Sequence, residues 1–150
     1  MHFQVITPVS GTPRSVFAGF DRALFLRLAP PGVRLNLHQF DEPLAPGGVV
    51  HLEVRFFGLL RQEWYNRITA LQTSDTLCDF VDEGERLPFP LRRWRHHHII
   101  RQGSQGTEIV DDISYHSPNR MLDLLMFPFV YAQFWYRKPV YRKYFAATGK

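Results

Sequence analysis

The chain has 150 residues, 45% of them hydrophobic and 21% charged, with a net charge of +4. That is enough for one domain over 1–150 with a sizeable core, and too little for two comfortable ones. The basic charge is mostly Arg and is not gathered into one block, since Asp75, Asp79, Asp82, Glu83 and Glu85 precede Arg86, Arg92, Arg93, Arg95 and Arg101, which argues against a nucleic-acid surface, and the single Cys78 excludes an internal disulfide or an all-Cys metal site.

Aromatic residues make up 15% of the chain, and 13 of them are Phe. Rings fill wide spaces, so a large core or a roomy apolar pocket is expected. The start, MHFQVITPVS, has neither a basic region nor a long apolar run, so it does not read as a signal peptide. A soluble, cytoplasmic protein is the expectation.

His2 to Val9 alternates and reads as a first strand. Thr12 is placed to cap a short helix with Pro13 at its first position. Val16, Phe17 and Phe20 form its apolar stripe. Asp21 is placed to cap a second short helix, with Leu24, Phe25 and Leu28 facing inward, and Ala29-Pro30-Pro31-Gly32 ends it. Strands are then expected over Val33–Phe40, Val49–Phe57, Gln62–Leu71, Thr76–Asp82, Arg92–Arg101 and Thr107–Tyr115. The loop Glu42–Gly48, the turn Gly58–Leu60, the irregular stretch Leu87–Pro90 and the hairpin turn Gly103-Ser104-Gln105-Gly106 separate them. Ser117-Pro118-Asn119 opens a long helix reaching about Phe145, roughly 40 Å at ~1.5 Å per residue and bent at Pro128. Its apolar part, Met121 to Tyr136, is about 16 residues long, short of the ~20 a spanning helix needs.

Strands joined by short turns pair antiparallel. The expected fold class is α+β: a seven-stranded curved antiparallel sheet wrapped around a long C-terminal helix, with two short helices after strand one. Curling is expected because a flat sheet would cover only one side of a helix that is apolar nearly all round.

Specific residues sharpen this. Phe80-Val81-Asp82-Glu83, Pro88-Phe89, Trp94-Arg95-His96-His97-His98, Gly106-Thr107, Asp111 and Tyr115 resemble a pattern found in a small bacterial subgroup of the START/polyketide-cyclase (SRPBCC) superfamily. Leu87 departs from it, standing where that pattern often has Gly. The resemblance implies the helix-grip fold, a curved sheet gripping a long helix around a deep apolar cavity. It does not imply one activity, because that fold hosts carriers, receptors, cyclases and chaperone cofactors.

The strand parities say more. In Arg92–Arg101, Trp94, His96, His98 and Ile100 share a face, and their apolar members argue that it is the inner one. Thr107, Ile109, Asp111, Ile113 and Tyr115 share a face of the next strand, and Phe80 shares one with Asp82. Asp82, His96, His98 and Asp111 are therefore expected to meet inside, near Trp64 and Asn66. Three readings compete for this cluster: a structural polar group, a ligand-orienting group at the end of an apolar pocket, and a general acid–base pair. A metal site is not expected, since His96-x-His98 offers two ligands and no third at a compelling spacing. No cofactor is expected. Cys78 shares parity with Phe80 and reads as an apolar filler.

In the helix Leu122, Leu125 or Met126, Phe129, Gln133, Tyr136 and Val140 follow helical spacing, with Phe127, Tyr131, Phe134 and Trp135 on other sides as candidate pocket rings. The expected function is non-catalytic binding of a hydrophobic or amphipathic small molecule: a lipid, a polyketide or an aromatic metabolite. The expected contacts are Trp64, Asn66, Phe80, Trp94, His96, His98, Ile109, Asp111, Tyr115, Phe127, Tyr131, Phe134 and Trp135. The first alternative is a cyclase- or hydrolase-type enzyme using Asp82, His96, His98 and Asp111 as catalytic residues. The second is an interaction or membrane-surface protein using Arg137, Lys138, Arg142 and Lys143 with Tyr141, Tyr144 and Phe145. Either a monomer or a homodimer is compatible with the sequence.

Overall fold

In the first strand, β1 (His2–Val9), Phe3, Val5 and Thr7 are buried while Gln4, Ile6 and Pro8 face solvent. A period of two puts one face of a pleated strand on the core. The computed structural model describes residues 1–104 and 106–148, so Gln105 of the expected hairpin turn lies outside the described residues, as do Gly149 and Lys150.

Two capped short helices follow. In α1 (Pro13–Ala18) the Ser15 amide donates to Thr12 Oγ1 at 3.2 Å, and the Thr12 amide donates to Ser15 Oγ at 2.9 Å. In α2 (Arg22–Arg27) the Leu24 amide donates to Asp21 Oδ1 at 2.7 Å. Each cap satisfies helix-end donors, an effect typically worth ~1 kcal/mol.

The remaining strands are β2 (Val33–Phe40), β3 (Val49–Phe56), β4 (Leu60–Thr73), β5 (Leu77–Arg86), β6 (Arg93–Gly103) and β7 (Gly106–His116). They form one curved, wholly antiparallel sheet in the order β1-β7-β6-β5-β4-β3-β2. β4 and β5 extend beyond the expected bounds. A tight turn with positive φ at Phe57 (50°) and Gly58 (74°) lets β3 pair with β4 up to Phe56↔Leu60. Register shifts between Tyr65 and Asn66 and between Ile68 and Ala70 mark irregularities where β4 meets β5, and such bulges bend and twist a strand.

The last element is α3 (Arg120–Thr148), with Pro128 and Pro139 inside it. Asn119 Oδ1 caps it by accepting from the Leu122 amide at 2.9 Å. Asp123 ties its first turn to the end of β7: Oδ1 accepts from the Ser117 amide at 2.6 Å, Oδ2 lies 3.0 Å from His116 Nδ1, and its carbonyl accepts from Tyr115 Oη at 2.8 Å. The helix lies mainly along β1, with a smaller contact on β7.

The expected phase of α3 is corrected. The buried residues are Asp123, Val130, Phe134, Tyr141 and Phe145 rather than the set running from Leu122 through Phe129 to Tyr136. Met121, Leu125, Phe129 and Trp135 are exposed at 78%, 67%, 75% and 59%. A helix apolar on every side carries little phase information in its pattern, and the contact with β1 chooses the face. The sheet therefore grips one side of the helix and leaves an apolar stripe outside.

Three apolar clusters hold the layers together. Phe3, Trp94, Ile113, Tyr115, Val130 and Phe134 pack at one end, and Val16, Leu24, Cys78, Ile100, Ile109, Tyr141 and Phe145 at the other. Val50, Leu52 and Val54 of β3 pack with Phe25, Leu35 and Leu37. A cavity opens among these clusters.

Candidate functional site

Antiparallel register assembles the site. The pairings Asp82↔His96 and Phe80↔His98 set β5 against β6, and His98↔Asp111 sets β6 against β7. Side chains at every second position share a face, so Asp82, His96, His98 and Asp111 come together on the inner face and all four are buried. His97 points outward, with Nε2 3.0 Å from Asp79 Oδ1.

The hydrogen bonds form a chain across four strands. Trp64 Nε1 donates to Asn66 Oδ1 at 2.7 Å, and Asn66 Nδ2 donates to Asp82 Oδ1 at 2.6 Å. Asp82 Oδ2 lies 2.9 Å from His98 Nε2 and 3.5 Å from His96 Nδ1. His96 Nε2 lies 2.9 Å from Asp111 Oδ1, which also accepts from Tyr141 Oη at 3.3 Å. Phe80 stacks on the His98 ring at 4.1 Å, and the His96 and His98 ring centroids are 3.5 Å apart. His98 Nδ1, Asp111 Oδ2 and Arg137 Nε are buried without a hydrogen-bond partner among the described residues.

Burial works to raise the pKa values of Asp82 and Asp111. The hydrogen bond from His98 and the charges of His96, His98 and Arg137 outweigh it at Asp82, and His96 does most to outweigh it at Asp111, so both carboxyls sit below their ordinary value. Burial, with His96 beside it, pushes His98 down to about 4. A base held that low is a poor proton acceptor near neutrality. Tyr141 is pushed well above its usual value by burial first and by Asp111 next.

The cavity measures about 120 Å³. Its apolar wall comes from Leu24 and Phe25 of α2, Leu28 just after that helix, Val33 and Leu35 of β2, and Val50, Leu52 and Val54 of β3. Its polar end is Asn66, Asp82, His96, His98, Gln133 and Arg137. The Arg137 guanidinium carbon lies 4.1 Å from the Phe134 ring centroid.

Of the sequence-expected contacts, Trp64, Asn66, Phe80, Trp94, His96 and His98 line this cavity. The others do not. Asp111 is enclosed behind His96, and Ile109 and Tyr115 are packed into the end clusters. Phe134 is core, Phe127 packs edge-on against Phe3, and Tyr131 and Trp135 are exposed. The cavity wall on α3 consists of Gln133 and Arg137, which the sequence reading did not assign to the pocket. Their signal is present: a polar pair four residues apart lies on one helix face. Pro128 lies on the exposed side, away from the cavity.

The basic end of α3 is also redistributed. Tyr141 and Phe145 are core, and Tyr144 Oη donates to Asp21 at 3.2 Å. The rings expected at a membrane surface are thus largely engaged inside, while Arg142 and Lys143 stay exposed. Among the described residues no helix is long and apolar enough to cross a membrane.

No protein-family model matches the chain, and no curated protein matches it either. Solved structures do. Ms6760 of Mycobacterium smegmatis has a TM-score of 0.70 at 16% identity, over 98% of this chain and 92% of that one. The di-domain ARO/CYC StfQ from the steffimycin biosynthetic pathway has a TM-score of 0.72 at 11% identity, and the match covers 98% of this chain but only 51% of StfQ. A point mutant of norcoclaurine synthase of Thalictrum, in complex with a transition-state analogue, has a TM-score of 0.63 at 11% identity, over 100% and 95% of the two chains. Likeness at such identities is likeness of fold: this chain has the helix-grip fold, a curved antiparallel sheet around a long C-terminal helix.

Proposed function

We propose that the protein binds a small apolar or amphipathic molecule in its internal cavity without transforming it. The observation that carries the reading is the cavity's division into an apolar wall (Leu28, Leu35, Leu52, Val54) and one polar end (Asn66, Asp82, His98, Gln133, Arg137). Pockets for small molecules are mostly apolar, with a few placed polar groups that fix orientation. A cavity of about 120 Å³ is of the order that accepts a single aromatic ring, so a ring-bearing compound with one polar substituent fits better than a long-chain lipid.

The test is thermal denaturation and native mass spectrometry with phenol, benzoate and short-chain fatty acids. A fitting compound at 100 times its Kd adds about 2.7 kcal/mol, which raises the melting temperature by several degrees in a chain of this size. A panel that moves neither the melting temperature nor the mass overturns the reading.

A further inference from the structure

We propose that Asp82, His96 and His98 form a binding site for a divalent first-row transition-metal ion such as Zn²⁺, with one coordination position open to the cavity. The two histidines by themselves make only an edge. β5 supplies the third donor, because the register sets Asp82 opposite His96. Asp82 Oδ2 lies 2.9 Å from His98 Nε2 and 3.5 Å from His96 Nδ1, and the three donor atoms all lie within 4.8 Å of one another. Ligands ~2.0–2.1 Å from a tetrahedral ion are separated by about 3.3 Å, so small side-chain shifts bring the three around one centre.

The surrounding groups are those a metal site needs. A ligating imidazole usually gives its other N–H to a carboxylate or carbonyl, and ligating carboxylates are themselves hydrogen-bonded. His96 Nε2 is held by Asp111 Oδ1 at 2.9 Å, which leaves Nδ1 for the ion. Asp82 Oδ1 is occupied by Asn66, itself oriented by Trp64, and Oδ2 is the oxygen that faces both imidazoles. If His98 ligates through Nε2, its proton moves to Nδ1. That atom now lacks a partner and lies 3.8 Å from Asp111 Oδ1. Asp111 holds His96 and stands next to His98, and its second oxygen has no hydrogen-bond partner among the described residues. Two acidic side chains, Asp82 and Asp111, are buried beside the two imidazoles.

Two imidazoles and one carboxylate suit Zn²⁺ or Fe²⁺ rather than Ca²⁺ or Mg²⁺. Three protein ligands with an open fourth position is the arrangement of a site that meets a water or an organic ligand. Here that position faces the same cavity, lined by Phe80, Gln133 and Arg137.

The experiment adds Zn²⁺ or Co²⁺ alone to the metal-free protein, with no organic compound present. Its failure therefore leaves the cavity's ligand reading standing. One equivalent per chain is expected by elemental analysis, with an intense visible absorption for Co²⁺ in a four- or five-coordinate site. Asp82→Ala and His98→Ala should weaken binding at least 100-fold, and Asp111→Asn 10- to 100-fold. A second group, His38, His51 and Glu63, lies at the surface, and His51→Ala should change nothing. Uptake below a tenth of an equivalent, a weak octahedral Co²⁺ spectrum, or binding lost in His51→Ala but kept in Asp82→Ala overturns the proposal. If the cavity variants do not fold, the stoichiometry and Co²⁺ spectrum of the wild-type protein decide it by themselves.

Discussion

Asp111 combines a readable direction with an unreadable role. Its parity with Ile109 and Ile113 marks it as inward, and it is inward. Its depth is not visible in that parity. The helix brings Tyr141 over it, so Asp111 serves His96 and never reaches the cavity. Glu53 on β3 is a further buried acid, and it was not singled out in the sequence. Arg61 and Arg55 clasp it at 2.7 and 2.6 Å. The hydrogen bond from Arg61, then that from Arg55, lowers its pKa from 4.5 to about 2. A folded-state value below the unfolded one means stability that is present above about pH 4.5 and lost as pH falls through about 2. Glu53→Gln should therefore melt below wild type at pH 6, and the gap should narrow from pH 5 to pH 2. A gap independent of pH would refute the assignment.

At the scale of elements, α3 shows how little an aromatic count says about burial. Phe134 is fully enclosed between Trp94, His96 and Phe3, whereas Phe129 and Trp135 look outward. Phe134→Ala should cost about 3–5 kcal/mol in urea denaturation, through lost transfer energy and the void left behind. Phe129→Ser and Trp135→Ser should each stay within about 0.5 kcal/mol. Equal losses at the three positions would mean that the outer stripe is covered in solution. The short helices were easier to read than α3, because Thr12 and Asp21 act through bonds to residues three positions away.

For the whole molecule the informative feature is where packing stops. The two end clusters are filled, and the space between β3, α2 and α3 is not. A larger side chain should be tolerated there and nowhere else on the inner face. Leu52→Trp should fill the cavity, keep the melting temperature within a few degrees of wild type, and abolish any ligand-induced shift. Ile109→Trp, in the closed cluster, should destabilise by about 1–3 kcal/mol through overpacking. Similar behaviour of the two variants in circular-dichroism melts would show that the cavity is closed in solution.

The sequence by itself determined the element order, the antiparallel pairing, the caps and the inward face of each strand carrying Asp82, His96, His98 and Asp111. These follow from local rules: a period of two, turn residues, and caps reaching three positions along the chain. Its resemblance to the helix-grip superfamily pointed to the same fold. Only the tertiary structure decided the phase of α3, the entry of Gln133 and Arg137 into the cavity wall, and the withdrawal of Ile109, Asp111 and Tyr115 from it. The reason is physical. A strand's pattern names its two faces, but a helix apolar on all sides has no face until a neighbour covers one. Whether an inward residue lines a cavity or fills a core depends on what stands opposite, and no single segment encodes that.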